Sequence, residues 1–280
     1  SFGNNAALPT SAWNNNNVIS FCNIFDFFSP SLPSTAIKLD GGSHAFTISN
    51  NRVYQTAART HTTTNQHRAF WLTPSANGAC GFQVTNNFIG GNDSIGTGVW
   101  SLGGTVGTNF WGMDINHAGV IPTSVQGNTI TQISLSSTTT TANDLFRGIS
   151  TGNVGHVYIG NLVGNTIGSA TQNGAITLVT TGAGSTSYGI KCSSTSFSTD
   201  TVLIQNNVVG GIQVSSSNAT SGANIHGIGV TSASYVYIEN NTVGSVHNQN
   251  GIISSNNATS VQSVHGISVA SGVYSTVINN

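Results

Sequence analysis

Chemically reactive side chains are scarce in this sequence, and many of them recur at one place in a repeated pattern. Only 5% of the 280 residues are charged. In the pattern apolar-x-Gly-apolar-x-apolar, as in Phe146-Arg147-Gly148-Ile149, the residue before Gly and the second residue after it are predicted to point outward. Aligning the copies gives one outward-facing set, called the external stripe: Lys38, Arg68, Trp71, Trp111, Asp114, Arg147, Tyr188, Lys191, His226 and His265.

The external stripe is too poor in acids for a recognisable catalytic set. Hydrolysis of a glycosidic bond needs two carboxylates that flank it, and metal-assisted elimination needs several oxygen ligands and a base. Asp114 is the only acid that we expect on the stripe. A structural role is the simpler alternative, in which Arg147 pairs with Asp114 across adjacent repeats. Five further acids fall at different register positions: Asp40, Asp93, Asp144, Asp200 and Glu239.

Two histidines and several aromatic side chains suggest other kinds of site. His226 and His265 occupy equivalent places in neighbouring repeats, but no third metal ligand accompanies them. We therefore predict no metal site and no cofactor. Trp71, Trp111 and Tyr188 are candidates for stacking on sugar rings, whereas the alternative is that aromatic residues fill a wide or capped end of the core. The candidate ligand contacts are Arg68, Trp71, Trp111, Tyr188, His226 and His265.

An Asn-Asn signature positions these side chains. It has the form apolar-x-apolar-x-Asn-Asn-x-Val/Ile, as in residues 202–209. Its second Asn, or the single Asn of weaker copies, recurs at intervals of 36, 41, 37, 42 and 34 residues, so the repeat is about 38 residues long. Asn side chains at stacked turns bond backbone groups of their own and neighbouring turns, which predicts an asparagine ladder. The predicted ladder residues are Asn51, Asn87, Asn128, Asn165, Asn207 and Asn241.

A second signature keeps step with the first. It is a Gly followed by an apolar residue, as at Gly148-Ile149 and Gly227-Ile228, and it precedes each anchor Asn by 14 to 18 residues. Together the two registers indicate about eight coils. We assign 1–280 to one continuous domain, with a degenerate first coil at 1–34 and about seven repeats at 35–280.

The repeats are predicted to be strands. Their apolar residues alternate with polar ones, as in a strand with one buried face, and no window has the period of a helix. We therefore predict an all-β fold, a single-stranded parallel β-helix (β-solenoid) in which each strand pairs with its counterpart one coil away. Segments such as 90–109 and 215–225 are predicted to be lateral loops rich in Ser, Thr, Asn and Gly, and the first is long enough to carry a contact through Trp100.

On these motifs the chain resembles right-handed parallel β-helix proteins. More narrowly, runs such as 204–212 resemble the PbH1-type or β-strand repeat segments of large secreted bacterial surface proteins, often exported by type IX secretion. The resemblance covers nearly the whole chain, and the same coil serves pectate lyases, phage tailspikes and passive adhesins. In the polysaccharide-cleaving members the substrate lies along the external strand face. The resemblance therefore implies Asp114, Arg147 and Lys191 as the catalytic residues of an alternative, enzymatic function.

Composition excludes several function classes. The formal net charge of −1 leaves no basic field for nucleic acid, and no apolar run approaches the roughly 18 residues of a membrane-spanning helix. Cys22, Cys80 and Cys192 are odd in number and widely spaced, so they encode neither a disulfide framework nor a metal knuckle. We expect Cys192, at an inward position, to be buried. Scarce Lys and abundant Asn, Ser and Thr favour an extracellular or cell-surface location.

These observations lead to two main function hypotheses. The first is a non-enzymatic, extracellular structural or adhesive repeat protein that forms a rod or filament at the cell surface. The alternative is a polysaccharide-binding or lyase-like protein that uses the external strand face; ice binding, which needs a flat and regular Thr array, is a weaker third. Because the chain stops within an anchor motif, at 277–280, we expect a piece of a longer solenoid. Its expected partners are neighbouring solenoid segments or subunits stacked end to end, and surface polysaccharide is a further candidate.

Overall fold

A computed structural model of the chain shows a parallel β-helix. Strands are the only regular elements of the described residues, which contain no helix and so none that could span a membrane. The predicted all-β fold class is confirmed, although residues 1–13 of the predicted first coil lie outside the described part. The structure describes residues 14–74, 80–116, 119–139, 144–152, 155–193, 201–232, 235–245, 251–256, 258–260, 262–270 and 274–280.

Sheet 1 contains the Gly-apolar signature and the external stripe. Its seven strands pair in parallel, each with its counterpart one coil away. Inward side chains such as Phe110, Ile149 and Ile190 are fully buried, as the alternating pattern predicts. The strands of sheet 1 are β4 Ser34–Leu39, β9 Asn65–Leu72, β13 Thr108–Asn116, β17 Phe146–Gly152, β21 Thr186–Ser193, β25 Asn224–Ser232 and β29 Val264–Val269.

Sheets 2 and 3 lie before and after the Asn-Asn turn. Sheet 2 consists of β2 Val18–Ser20, β6 Thr47–Ser49, β10 Gln83–Thr85, β14 Thr123–Gln126, β18 Val157–Ile159, β22 Thr201–Gln205, β26 Tyr235–Glu239 and β30 Tyr274–Ile278. Sheet 3 consists of β3 Asn23–Phe25, β7 Arg52–Tyr54, β11 Phe88–Ile89, β15 Thr129–Ile130, β19 Thr166–Gly168, β23 Val208–Gly210 and β27 Thr242–Val243. Both sheets are parallel, so the turn between them recurs at the same corner of every coil.

Sheet 4 lies within segments that the sequence assigns to lateral loops. Each of its six strands is the next described strand after one of sheet 3 along the chain, and inward residues such as Leu135 and Leu178 are buried. Ser- and Thr-rich composition alone therefore does not mark a loop here. The strands of sheet 4 are β8 Arg59–His61, β12 Trp100–Gly104, β16 Ile133–Ser137, β20 Ile176–Thr180, β24 Ile212–Ser216 and β28 Ile252–Asn256. The short strands β1 Asn14–Asn15 and β5 Ser43–His44 form a separate pair.

The asparagine ladder is present and continuous. The Nδ2 group of Asn87 donates to Oδ1 of Asn128 at 2.9 Å and to the carbonyl of Ile48 at 2.8 Å, while its own Oδ1 accepts from Asn51. The same pattern links every predicted ladder residue, and Asn280 adds one further rung beyond Asn241. Each rung therefore bonds to the coils on both sides.

The two residues of the Asn-Asn pair have different roles. The second, such as Asn87, is buried and forms the ladder, whereas the first, such as Asn86, is exposed and adopts a positive φ of 55°. Asn50, Asn206 and Asn240 repeat this conformation with φ of 56° to 57°. Asn tolerates left-handed backbone angles better than most residues, so the turn uses one Asn for geometry and the other for hydrogen bonding.

The Gly of the second signature allows the coils to approach closely in sheet 1. A Cβ atom at Gly148 would lie 2.4 Å from the carbonyl oxygen of Gly189, and one at Gly112 would lie 2.6 Å from that of Gly148. Real Cβ atoms do not approach backbone oxygens so closely. The absence of a side chain at these Gly positions thus lets the backbones of neighbouring coils lie close together in sheet 1.

The core is a set of stacked apolar columns inside the coil. Val84, Val125 and Ile204 form one column, and Ile149, Ile190 and Ile228 form another; all are fully buried. Each side chain of this size contributes roughly 1.5 to 3 kcal/mol to stability when it is fully buried. Cys192 is buried, as predicted, and Cys80 is buried too, while Cys22 is exposed.

Aromatic rings and two histidines fill the coil near its N-terminal end. His67 is stacked between Phe27, at a centroid distance of 5.1 Å, and Phe110, at 6.2 Å, and Trp100 meets its edge. His61 lies beside it, and neither ring nitrogen of either histidine has a hydrogen-bond partner among the described residues. Burial lowers the pKa of His67 to about 3, with a smaller contribution from the neighbouring His61.

We predict that the two neighbouring asparagines of one turn differ sharply in their effect on stability. Asn87→Ala removes the hydrogen bonds of a buried rung and leaves partners unpaired on both adjacent coils, so it should lower the free energy of unfolding by about 3 to 5 kcal/mol. Asn86→Gly keeps the left-handed turn, so it should change the free energy of unfolding by about 1 kcal/mol or less. Urea denaturation measures both; equal losses would contradict the division of roles.

We also predict that acid destabilises the N-terminal half through His67. Its folded-state pKa of about 3 lies below the ordinary value of 6.5, so the unfolded chain takes up the proton first as the pH falls. The contribution of neutral His67 to the free energy of unfolding is therefore fully present above pH 6.5 and is lost as the pH falls from 6.5 to 3. By pH 5 the free energy of unfolding should have fallen by about 2 kcal/mol.

His67→Phe is the matched variant for this prediction because a phenyl ring fills the same stack without titrating. The loss of unfolding free energy between pH 7 and pH 5 should be smaller in His67→Phe than in the wild type by that amount. Identical pH profiles would show that His67 does not control the acid response.

Candidate functional site

Strand register in sheet 1 brings the external stripe together as two neighbouring files. Lys38, Trp71 and Asp114 occupy equivalent positions on successive coils, followed by Ser150 and Lys191. The predicted alignment of the stripe is thus confirmed, position by position. The second file contains Arg68, Trp111, Arg147, Tyr188, His226 and His265.

Cations and indole rings alternate along the first half of the stripe. The Arg68 guanidinium lies 4.4 Å from the ring centroid of Trp71 and 4.6 Å from that of Trp111. The Arg147 guanidinium lies 3.6 Å from the ring centroid of Trp111, and the Lys38 ammonium lies 4.5 Å from that of Trp71. Such cation–π contacts are attractive and strengthen when they are shielded from water. The indole faces are therefore occupied by the protein's own cations.

Stacked rings continue the column through the second half. Tyr188 stacks on His226, and His226 stacks on His265, both at centroid distances of 4.8 Å. The Lys191 ammonium lies 4.9 Å from the Tyr188 ring, and Nδ1 of His226 lies 2.7 Å from the hydroxyl of Ser268. Burial, assisted by the neighbouring His265, lowers the pKa of His226 to about 4, so its imidazole is neutral at neutral pH.

Asp114 forms a buried ion pair with Arg68. Nε of Arg68 lies 3.3 Å from Oδ2 of Asp114, at an angle unsuited to a hydrogen bond, and both side chains are less than 10% exposed. Asp114 accepts a hydrogen bond from Ser150, and Arg68 donates one to Gln66. Burial raises the pKa of Asp114 and lowers that of Arg68, against the stabilising attraction between the two charges.

Asp144 is a second acid of the stripe, and the sequence alone missed it. Its Oδ2 accepts hydrogen bonds from Nε of Arg147 at 2.6 Å and from Nζ of Lys191 at 2.5 Å. The expected pairing of Arg147 with Asp114 is therefore wrong, because Arg68 holds Asp114 while Asp144 holds Arg147. Asp144 precedes β17 at the corner of the coil, three residues before Arg147, so its side chain reaches the outward face from outside the strand pattern.

The remaining candidate contacts are also placed by the structure. Trp111 and Tyr188 are only 7% exposed, so little of either ring is accessible to a ligand. Trp100 is fully buried against Phe110 and His67, which contradicts its predicted role in a surface contact. Aromatic residues of the first half accordingly include core residues, such as Trp100 and Phe110.

The stripe has no arrangement of side chains typical of a metal centre. His226 and His265 stack face to face instead of directing ring nitrogens at a common point. Within the described ranges, no group of three or more His, Cys, Asp or Glu side chains is placed to hold a metal ion. The carboxylates of Asp114 and Asp144 are both engaged by cations of the same face.

A second surface feature lies on sheet 4, where the sequence gave no candidate site. Outward side chains of successive strands form one file: Ser101, Ser134, Thr177, Gln213 and Ile253. Three cavities of about 720, 360 and 250 Å³ lie along this face. We call this surface the sheet 4 trough. Its lining combines hydroxyl and amide side chains with apolar ones, of which Val99, Val179 and Ile253 are exposed, and it is almost free of charge, in contrast to the external stripe.

No family model matches the chain, and neither the curated proteins nor the solved structures contain a significant match. The resemblance to repeats of bacterial surface proteins therefore stays a prediction.

We predict that Asp114→Asn destabilises the protein by about 3 kcal/mol, because it leaves the Arg68 guanidinium buried without a counter-charge. Replacing both partners, as Arg68→Met with Asp114→Leu, should recover most of that loss. The pair of Lys38 and Asp40, at 3.0 Å and with side chains 33% and 38% exposed, provides the control, since Asp40→Asn should cost less than about 1 kcal/mol. Thermal and urea denaturation compare the variants, and a double variant weaker than Asp114→Asn would contradict this account of the pair.

Proposed function

We propose that this protein is a non-catalytic, extracellular structural or adhesive repeat protein whose β-helix serves as a rod at the cell surface. One observation carries the proposal: the charged and aromatic groups of the external stripe are engaged with each other. Asp114 is neutralised by Arg68, Asp144 by Arg147 and Lys191, and the indole faces by guanidinium groups. A face of this kind stabilises stacked coils and leaves neither of its two carboxylates free for chemistry.

The repeat geometry supports a role as a scaffold. The ladder continues from Asn51 to Asn280, and the apolar columns beneath it are fully buried over most coils. Since every described coil pairs with the next by the same parallel register, a further coil of the same kind would pair in the same way. We include neighbouring solenoid segments or subunits, stacked end to end, as partners in the proposal.

An extracellular setting agrees with the composition. The 34 Asn residues, with many Ser and Thr, supply the polar surface in a chain where only 5% of residues are charged. Stability in such a chain rests on buried hydrogen bonds and apolar columns, and much less on surface ion pairs that salt would screen. The PbH1-like repeats of secreted bacterial surface proteins have the same kind of motif, and type IX secretion is part of this proposal.

The competing proposal is a lyase-like protein that acts on polysaccharide at the external stripe. One observation favours it: Asp144 gathers Arg147 and Lys191 into a single cluster of an acid and two cations. With Asp114, these are the residues that a β-elimination would use. Against it, both carboxylates are bonded to cations, and Trp111 and Tyr188 are largely covered.

We predict that electron microscopy of the native material will show continuous rods with a coil repeat near 4.8 Å. Discrete particles of one chain each would contradict the structural polymer. In parallel, the purified protein is incubated with polyuronates and the absorbance at about 235 nm is followed, where new unsaturated ends absorb. We expect no increase; turnover that disappears in Arg147→Ala or Lys191→Ala would replace the proposed function by the enzymatic one.

A further inference from the structure

The sheet 4 trough is a continuous feature along the rod. Thr177 lines both the 720 Å³ cavity and the 360 Å³ cavity, while Ser101 and Ser134 line both the 720 Å³ and the 250 Å³ cavities. The three cavities therefore form one groove from β8 to β28. Neighbouring strands are 4.7 to 4.9 Å apart, so the groove is roughly 24 Å long.

The lining of the trough is suited to a ligand rich in hydroxyl groups. Its floor presents Ser101, Ser134 and Thr177, and no hydrogen bond of these hydroxyls occurs within the described ranges. Gln172 adds a side-chain amide, and so does Gln213 of the same file, whose Nε2 also donates to Oδ1 of Asn173 at 2.6 Å. Hydroxyls and primary amides both donate and accept hydrogen bonds, which is what alternating donors and acceptors on a ligand require.

The charge of the trough restricts the ligand further. Arg59 is the only charged residue in its lining, and the guanidinium is bonded to Asp26 and to Oε1 of Gln55 at 2.8 Å. A polyanion such as nucleic acid or polyuronate would find no free cation there. A peptide strand would need an open sheet edge, whereas the trough lies on the face of a sheet whose backbone groups are already paired.

We propose that the sheet 4 trough binds a linear, neutral polysaccharide in an extended conformation, with about one sugar residue per coil. A pyranose unit of an extended β-1,4-linked chain advances by about the spacing of one strand, roughly 5 Å. Because each sugar of such a chain is turned by about 180° relative to the one before, the hydroxyls of Ser101 and Thr177, two coils apart, meet equivalent groups of alternate sugars, and Ser134 meets the opposite edge of the sugar between them. This inference rests on the adhesive part of the proposed function and assigns its ligand class and surface.

Titration calorimetry and affinity gel electrophoresis test the inference with the full chain. Cellohexaose and mannohexaose, both extended and neutral, should bind, while maltohexaose, which coils, and hexagalacturonate, which is anionic, should bind at least tenfold more weakly. Ser134→Arg places a long side chain in the trough and should lower the affinity for the extended hexaoses at least tenfold. Ser124→Arg is the matched control, because Ser124 is an equally half-buried outward serine of the same coil on sheet 2.

Each result has a defined meaning. No binding of either extended hexaose by the wild type would overturn the inference, as would equal binding of hexagalacturonate or maltohexaose. Unchanged binding by Ser134→Arg, or an equal loss in Ser124→Arg, would show that the trough is not the site. Rods seen by microscopy do not depend on these measurements, so the inference can fail while the proposed structural function stands.

Discussion

The amide-to-amide hydrogen bond between ladder asparagines sets the position of everything else in this molecule. Nδ2 of each rung reaches Oδ1 of the next at 2.8 to 2.9 Å and also holds a carbonyl of the coil on the other side. One corner of every coil is thereby fixed relative to its neighbours, however long the segments elsewhere in the repeat. Because the corner is fixed, equivalent residues on all four sheets fall into straight files, and their chemistry is decided by what is stacked above and below.

Stacking in files has opposite results on two faces of the coil. On sheet 1, large charged and aromatic side chains lie close enough to satisfy one another, as Arg68 does between Trp71 and Trp111. On sheet 4, side chains such as Ser134 are too short to reach their neighbours at the strand spacing, so their hydrogen-bonding capacity remains directed outward. The charged and aromatic side chains of sheet 1 are thus occupied by contacts with one another, whereas the short hydroxyl side chains of sheet 4 form the more accessible surface.

Much of this arrangement could be predicted from the sequence. The Asn-Asn and Gly-apolar signatures fix the ladder and the register of the external stripe, because both arise from local backbone requirements that repeat in every coil. Asp144, Trp100 and the strands of sheet 4 were not predicted correctly. They lie in the segments of variable length, where the direction of a side chain depends on pairing with a coil some 40 residues away. Local pattern contains no information on whether such a segment pairs or loops out.

The division of labour within the Asn-Asn pair bears on chemical ageing. An exposed asparagine deamidates when the backbone nitrogen of the following residue attacks its side-chain amide and closes a succinimide ring. Asn86 is exposed, but the nitrogen that would attack belongs to Asn87, and its N–H is hydrogen-bonded to Oδ1 of Asn128 at 3.0 Å. The same restraint acts on Asn50, Asn206 and Asn240 through the rungs that follow them. The ladder therefore slows the deamidation of the very turns that form it.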